Sequence, residues 1–193
     1  MIQAIFKFNE HALDYPQFLF CGSFNPMHAG HIAIAEFVYK KFEAPVDFEI
    51  SLHNVEKFSI DLEEVKRRYN QMFKLRTPAF GRLYITDDDA RYLEKAYQLP
   101  EVTFICGFDT IRALCDGRYY KSKEFEMAIQ EFNELGIEWL VFPRKKEDGN
   151  HSAPDDFRDF PPDLLKNITI VTSDEFPPID IASRELRGLN TNL

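Results

Sequence analysis

Apolar residues along this chain gather into short runs set apart by polar, helix-patterned stretches. The runs are QFLFCG (17–22), VDFEISL (46–52), RLYITD (82–87), VTFICG (102–107), IEWLVFPR (137–144) and NITIVTS (167–173). Their length and their content of β-branched and aromatic residues predict strands. Runs of this kind suit strands buried on both faces, as in a parallel sheet. Between them AGHIAIAEFVYKKF (29–42) repeats apolar residues at helical spacing. DLEEVKRRYNQMFKL (61–75) opens on Asp61 as a candidate N-cap and places Leu62, Val65, Tyr69, Met72 and Phe73 largely on one face. DDDARYLEKAYQL (87–99), DTIRALCDG (109–117), KSKEFEMAIQEFNELG (121–136) and IASRELRGL (181–189) are the remaining expected helices. Strands alternating with helices predict βαβ units, hence an α/β fold with a doubly wound parallel sheet, as a single domain over residues 1–193. The proline-bearing stretch 144–166 is expected as a long, mobile loop.

In such folds ligands bind beyond the carboxyl ends of the strands. Two expected strands end in glycine followed by polar residues, FLFCG before SFN and VTFICG before FDT. In the first, Gly22 lets a neighbour come close, Asn25 and Pro26 make a turn, and His28 and His31 fall one turn apart at the start of the helix 29–42. Backbone N–H groups and the positive end of the helix dipole make that place suited to an anion, and two imidazoles add donors. Gly30, between them, leaves room for something flat against the helix start. An imidazole beside phosphate has its protonated form favoured and then donates from both nitrogens. The opposing reading, one histidine as N-cap and one in the core, suits a lone histidine better than a pair around a glycine.

Composition narrows the partners. The formal net charge is −9, which opposes general binding to nucleic acid but not to a small phosphorylated molecule held by local donors. No apolar run reaches the roughly 18–20 residues of a membrane span, and residues 1–16 lack the basic start and apolar stretch of a signal peptide. Cys21, Cys106 and Cys115 show no CxxC spacing and fit reduced thiols in a cytoplasmic protein. The run Asp87-Asp88-Asp89 reads as the acidic start of a helix before it reads as a metal site, and no metal ligands are assigned. Trp139 reads as core, and RKKED (144–148) as solvated loop.

G-S-F-N-P-M-H-A-G-H, residues 22–31, resembles the G-x-F-x-P-x-H-x-G-H signature of the HxGH nucleotidyltransferases. The resemblance implies a Rossmann-like nucleotidyltransferase fold. In it His28 and His31 bind the phosphates of a nucleoside triphosphate and stabilise attack on its α-phosphate, with Gly22, Ser23, Phe24, Asn25 and Gly30 around the nucleotide. Asn25 stands where many members have Asp. IDIASRELRG resembles the I-S-S-T-x-I-R motif of nicotinamide- and nicotinate-nucleotide adenylyltransferases: Ile181, Ser183, Leu186 and Arg187 fit it, while Ala182 and Arg184 depart. A serine hydroxyl, helix-start N–H groups and arginine can hold β- and γ-phosphates, so Ser183, Arg184 and Arg187 are candidates. NVEKFSIDLEEVKRRYNQM resembles the family segment that brings a lysine, here Lys57, towards phosphate. Arg67 and Arg68 in it stand four residues after Glu63 and Glu64 and read equally as surface pairs. FICGFDT resembles the family's strand ending in G-x-D beside the nucleotide, carried by Gly107 and Asp109, although Asp109 reads equally as a helix cap. RYYKS and the arginine after IEWLVFP resemble acceptor-side positions, giving Tyr119, Tyr120 and Arg144.

The resemblance as a whole implies transfer of AMP from ATP, with Mg²⁺ carried mainly by the triphosphate, to a small phosphorylated acceptor such as nicotinamide or nicotinate mononucleotide. Two alternatives stay open. One is an ATP-binding protein without turnover, for which Ala182, Arg184 and the short stretch after Arg187 speak. The other is a cytidylyl- or adenylyltransferase for another phosphate acceptor. A homo-oligomer is compatible with the sequence.

Overall fold

The computed structural model describes residues 1–9, 12, 13, 15–53, 59–87, 91–116, 119–146, 149–177 and 179. The backbone groups into two compact units, residues 1–90 with 179–193, and residues 91–178.

The first unit runs β1 (Ile2–Lys7), β2 (Phe18–Cys21), α1 (Ala29–Phe42), β3 (Val46–Ser51), α2 (Leu62–Lys74) and β4 (Phe80–Thr86). Its strands lie in the order β1-β4-β3-β2. β2 and β4 flank β3 in parallel, with Phe18 opposite Val46 and Val46 opposite Phe80. This is the βαβ arrangement expected from the alternation of strand and helix. The addition is β1, which pairs antiparallel with β4, Ile2 opposite Thr86 and Lys7 opposite Arg82. Its anchors are aromatic: Phe6 stacks on Tyr69 of α2 at 4.1 Å between centroids, and Phe8 meets Phe48 and Phe80 edge-on. The Tyr69 hydroxyl completes the clamp by donating to the Lys7 carbonyl at 3.1 Å. Ile2, Ile5 and Phe6 are the half-buried positions of β1, their alternation broken by the register shift between Ala4 and Phe6, and the sequence alone left this strand unassigned.

Helix α2 begins as expected, with Asp61 Oδ1 accepting from the Glu64 N–H at 2.8 Å. Its inward face differs from the expected one. Val65, Arg68 and Met72 are buried, at the i, i+3, i+7 spacing of one helix stripe, while Leu62 and Phe73 are exposed. A cation thus occupies a core-facing position.

The second unit runs α3 (Tyr92–Gln98), β5 (Thr103–Gly107), α4 (Phe108–Cys115), α5 (Ser122–Glu134), β6 (Glu138–Phe142), α6 (Pro162–Leu165) and β7 (Ile168–Ile170). β5, β6 and β7 are parallel neighbours in that order. Phe125, Ala128, Ile129 and Phe132 form the buried stripe of α5. Trp139 is core as expected, ringed by Tyr92, Phe104 and Phe132 at 5.1–5.4 Å. Two sequence expectations need correction here. Helix α3 starts at Tyr92, with Arg91 as N-cap, so Asp87 is not its acidic first turn; the Asp87 carboxylate lies 3.3 Å from His53 Nε2, while Asp88 and Asp89 lie outside the described residues. The stretch 144–166 is also no featureless loop: it carries a 3-10 turn (Pro154–Phe157) and α6, with Phe157, Phe160 and Leu164 buried. Apolar side chains at those three positions pull it onto the unit. Arg112 fastens it further, through Asp159 at 2.7 Å and the Asp156 carbonyl at 2.8 Å. Among the described residues no helix is long and apolar enough to cross a membrane.

Candidate functional site

The first unit brings together Gly22, Ser23, Phe24, Asn25, His28, Gly30 and His31 on the connection from β2 to α1. His28 is the N-cap of α1, with extended backbone angles, so it closes the loop and opens the helix in one residue. The two imidazoles are stacked, centroids 3.7 Å apart and planes 28° from parallel. His31 Nδ1 accepts a hydrogen bond from the His28 backbone N–H at 3.3 Å. A nitrogen that accepts carries no proton, so the donor of His31 in this arrangement is Nε2–H.

A Cβ built at Gly30 would stand 3.1 Å from both Cε1 and Nδ1 of His28, so the His28 ring packs closely against this glycine. Gly30→Ala is expected to displace that ring by a few tenths of an ångström, with little change in melting temperature; the His28 ring signals in NMR spectra beside a thermal melt check it, and unchanged signals would contradict the close fit.

Phe24 is corrected in its role. Its side chain is 1% exposed, so it offers a ligand at most its backbone. The ring packs edge-on against Phe20, Phe48 and His31, at 5.1–5.4 Å, as the floor beneath the histidines. A Cβ on Gly22 would stand 3.0 Å from Phe24 Cζ, so that glycine makes way for the phenylalanine ring. The Phe24 backbone sits in the left-handed region, φ 43°, where a bulky residue costs roughly 1–3 kcal/mol.

Helix α2 supplies a group of residues that the sequence left as surface pairs. Glu64 Oε1 accepts from Arg68 Nε at 2.8 Å, and Glu64 Oε2 from Arg67 Nε at 2.6 Å. Both arginines also reach the loop: Arg68 donates to the Ser23 carbonyl at 2.9 Å and Arg67 to Asn25 Oδ1 at 2.8 Å. The hydrogen bond from Arg67, with help from Arg68, pulls the Glu64 carboxyl down to about 2 against the opposing effect of burial.

In the second unit three expected residues meet. Gly107 is the N-cap of α4, and a Cβ on it would lie 2.9 Å from Arg144 Cγ. Arg144 thus crosses over Gly107, and its Nε donates to Asp109 Oδ2 at 3.4 Å. Asp109 lies in the first turn of α4 and is not its N-cap. Both partners are largely exposed, so this pair is weak and easily exchanged for another anion. Tyr120 is buried and stacks with Phe125, and its hydroxyl accepts from the Leu93 N–H in the first turn of α3 at 3.2 Å. These contacts tie Tyr120 into the packing of its unit, whereas Tyr119 is half-buried. Lys57, Ser183, Arg184 and Arg187 lie outside the described residues. Of the thiols, Cys106 is buried and raised by burial, and Cys115 is pushed up to about 12 for the same reason, so neither is primed as a nucleophile.

Residues 19–152 match the family model described as cytidylyltransferase-like. A curated protein of Bacteroides fragilis (strain YCH46), named "Probable nicotinate-nucleotide adenylyltransferase", is 30% identical over 128 residues, 65% of this chain and 55% of that protein. The chain thus spans about half the length of that relative. Among solved structures, Plasmodium falciparum nicotinic acid mononucleotide adenylyltransferase complexed with NaAD matches at 14% identity and a TM-score of 0.55, over 90% of this chain and 83% of that one. At that identity the match shows a shared α/β, Rossmann-like fold.

Proposed function

The chain belongs to the cytidylyltransferase-like family, and from that premise we propose that it transfers AMP from ATP to a pyridine mononucleotide, nicotinate mononucleotide before nicotinamide mononucleotide, releasing pyrophosphate. The observation that carries the reading is the stacked His28–His31 pair at the amino end of α1. The names of the two relatives support the choice of nicotinate as acceptor.

In the reaction an acceptor phosphate oxygen attacks the α-phosphorus of ATP. The new P–O bond forms as the bond to pyrophosphate breaks, in line and without a covalent enzyme intermediate. The acceptor is already an anionic nucleophile, so alignment and charge neutralisation are what the protein has to supply. The α1 start offers backbone N–H groups to the phosphates, and His31 Nε2–H offers a donor that the packing of Phe24 and the His28 N–H holds in one orientation. Arg144, Asp109 and Gly107 are the proposed acceptor- and nucleotide-side contacts of the second unit, with Lys57, Ser183, Arg184 and Arg187 from the segments outside the described residues. Among the described residues no three His, Cys, Asp or Glu side chains converge so as to hold a metal ion, and Mg²⁺ enters the proposal as part of the substrate, MgATP.

The test is pyrophosphate release from ATP and Mg²⁺ with nicotinate mononucleotide, nicotinamide mononucleotide or no acceptor. Release dependent on either mononucleotide, faster with nicotinate, is the expected result. Binding of ATP without release in any arm would favour the non-catalytic reading.

A further inference from the structure

We infer that Arg68, fixed by Glu64, is a positioning residue: its guanidinium holds the Ser23 carbonyl so that the next residue, Phe24, stays in its left-handed conformation beneath His31. Three observations carry this. Arg68 is 6% exposed and shares the buried stripe of α2 with Val65 and Met72, so its charge sits where an apolar side chain would ordinarily pack. Two nitrogens of its one guanidinium donate to different partners, Nε to Glu64 Oε1 at 2.8 Å and Nη1 to the Ser23 carbonyl at 2.9 Å. A planar fork with both ends engaged is rigid in a way a lysine is not. The peptide it grips is the one leading into Phe24, whose φ of 43° is unfavourable for an aromatic residue and needs outside support.

The consequence reaches the histidines by contact. Phe24 touches His31 edge-on at 5.1 Å, and His31 in turn accepts from the His28 N–H. Loosening the Ser23–Phe24 peptide lets the floor move, and with it the ring that donates through Nε2. Glu64 acts by neutralising the buried guanidinium. The pull of the two arginines keeps Glu64 ionised throughout the ordinary working range.

The inference rests on the nucleotide-site reading for its kinetic consequence, but not for its structural one, and the test separates them. In the ligand-free protein, long-range ¹H–¹⁵N spectra report which nitrogen of His31 carries the proton. The wild type is expected to show the Nε2–H form, Arg68→Met a mixture of tautomers, and Arg68→Lys an intermediate pattern. In the pyrophosphate assay Arg68→Met is expected to lower kcat roughly 10–100-fold, with a smaller change in KM for ATP, and Arg68→Lys to recover part of the loss. If Arg68→Met does not melt cooperatively, Arg68→Lys alone decides on both readouts. An unaltered His31 spectrum in a folded variant overturns the inference. If wild type turns over no acceptor, the functional reading falls while the spectra still decide the role of Arg68.

Discussion

His31→Ala is expected to lower kcat for pyrophosphate release roughly 10²–10³-fold, the loss typical of one preorganised donor to developing charge. His28→Ala is expected to fall in the same range. The structure shows why alanine at 31 removes two things at once. It deletes the Nε2–H donor, and it deletes the Nδ1 acceptor that the His28 N–H uses, a cap-like contact worth about 1 kcal/mol. Two further substitutions separate these. His31→Asn places an amide oxygen near the Nδ1 position, so it should keep the melting temperature close to wild type while kcat stays low. His31→Gln carries its amide nearer the Nε2 position, so it should regain part of kcat. Steady-state kinetics with ATP and nicotinate mononucleotide, beside thermal melts, distinguishes the outcomes. A rise in KM with kcat unchanged would assign His31 to ground-state binding, and wild-type turnover in both alanine variants would remove the mechanism.

The second large effect concerns stability. Asp47 lies on β3 with 1% exposure, and its carboxylate accepts from the Arg82 N–H where the pairing of β3 with β4 shifts register. Burial raises its pKa from 3.8 to about 7, outweighing the opposing pull of that hydrogen bond and of the Arg82 charge. A folded-state value above the unfolded one means that the fold prefers the protonated carboxyl. Its stabilising contribution is therefore complete below pH 3.8, declines as pH rises, and is gone above about 7. A shift of that size corresponds to a pH-dependent contribution of about 4 kcal/mol. Asp47→Asn cannot ionise and keeps an oxygen able to accept from the Arg82 N–H. Denaturant melts between pH 5 and 8.5 should show wild type losing stability with rising pH relative to this variant, which should be the more stable of the two at pH 8. Parallel pH profiles for the two proteins would contradict the assignment.

Much of the fold was legible because its signals are local. A strand buried on both faces must be apolar along its length, and a helix must repeat its apolar positions every three to four residues, so the six runs and the helices between them appeared in the structure with boundaries shifted by a few residues. The site was legible for a related reason. Gly22, His28, Gly30 and His31 fall within ten consecutive residues joining a strand to a helix, so their spacing lets both imidazoles face the same side, where the structure stacks them. Arg68 had a signal too, a charge set three residues after Val65 and four before Met72 on an otherwise buried stripe, which only gains meaning once a partner for it is known.

By itself, then, the sequence determined the alternation of strands and helices, Asp61 as a helix cap and the histidine pair at a helix start. Only the tertiary structure decided that β1 joins β4, that Phe24 and Tyr120 are buried, that Gly30 accommodates His28, and that α2 grips the loop at Ser23 and Asn25. Periodicity reports how one residue relates to its near neighbours. The Arg68–Ser23 bond spans 45 residues and the Arg67–Asn25 bond 42, and what brings such pairs together is the packing of the helix on the sheet, which no local pattern contains.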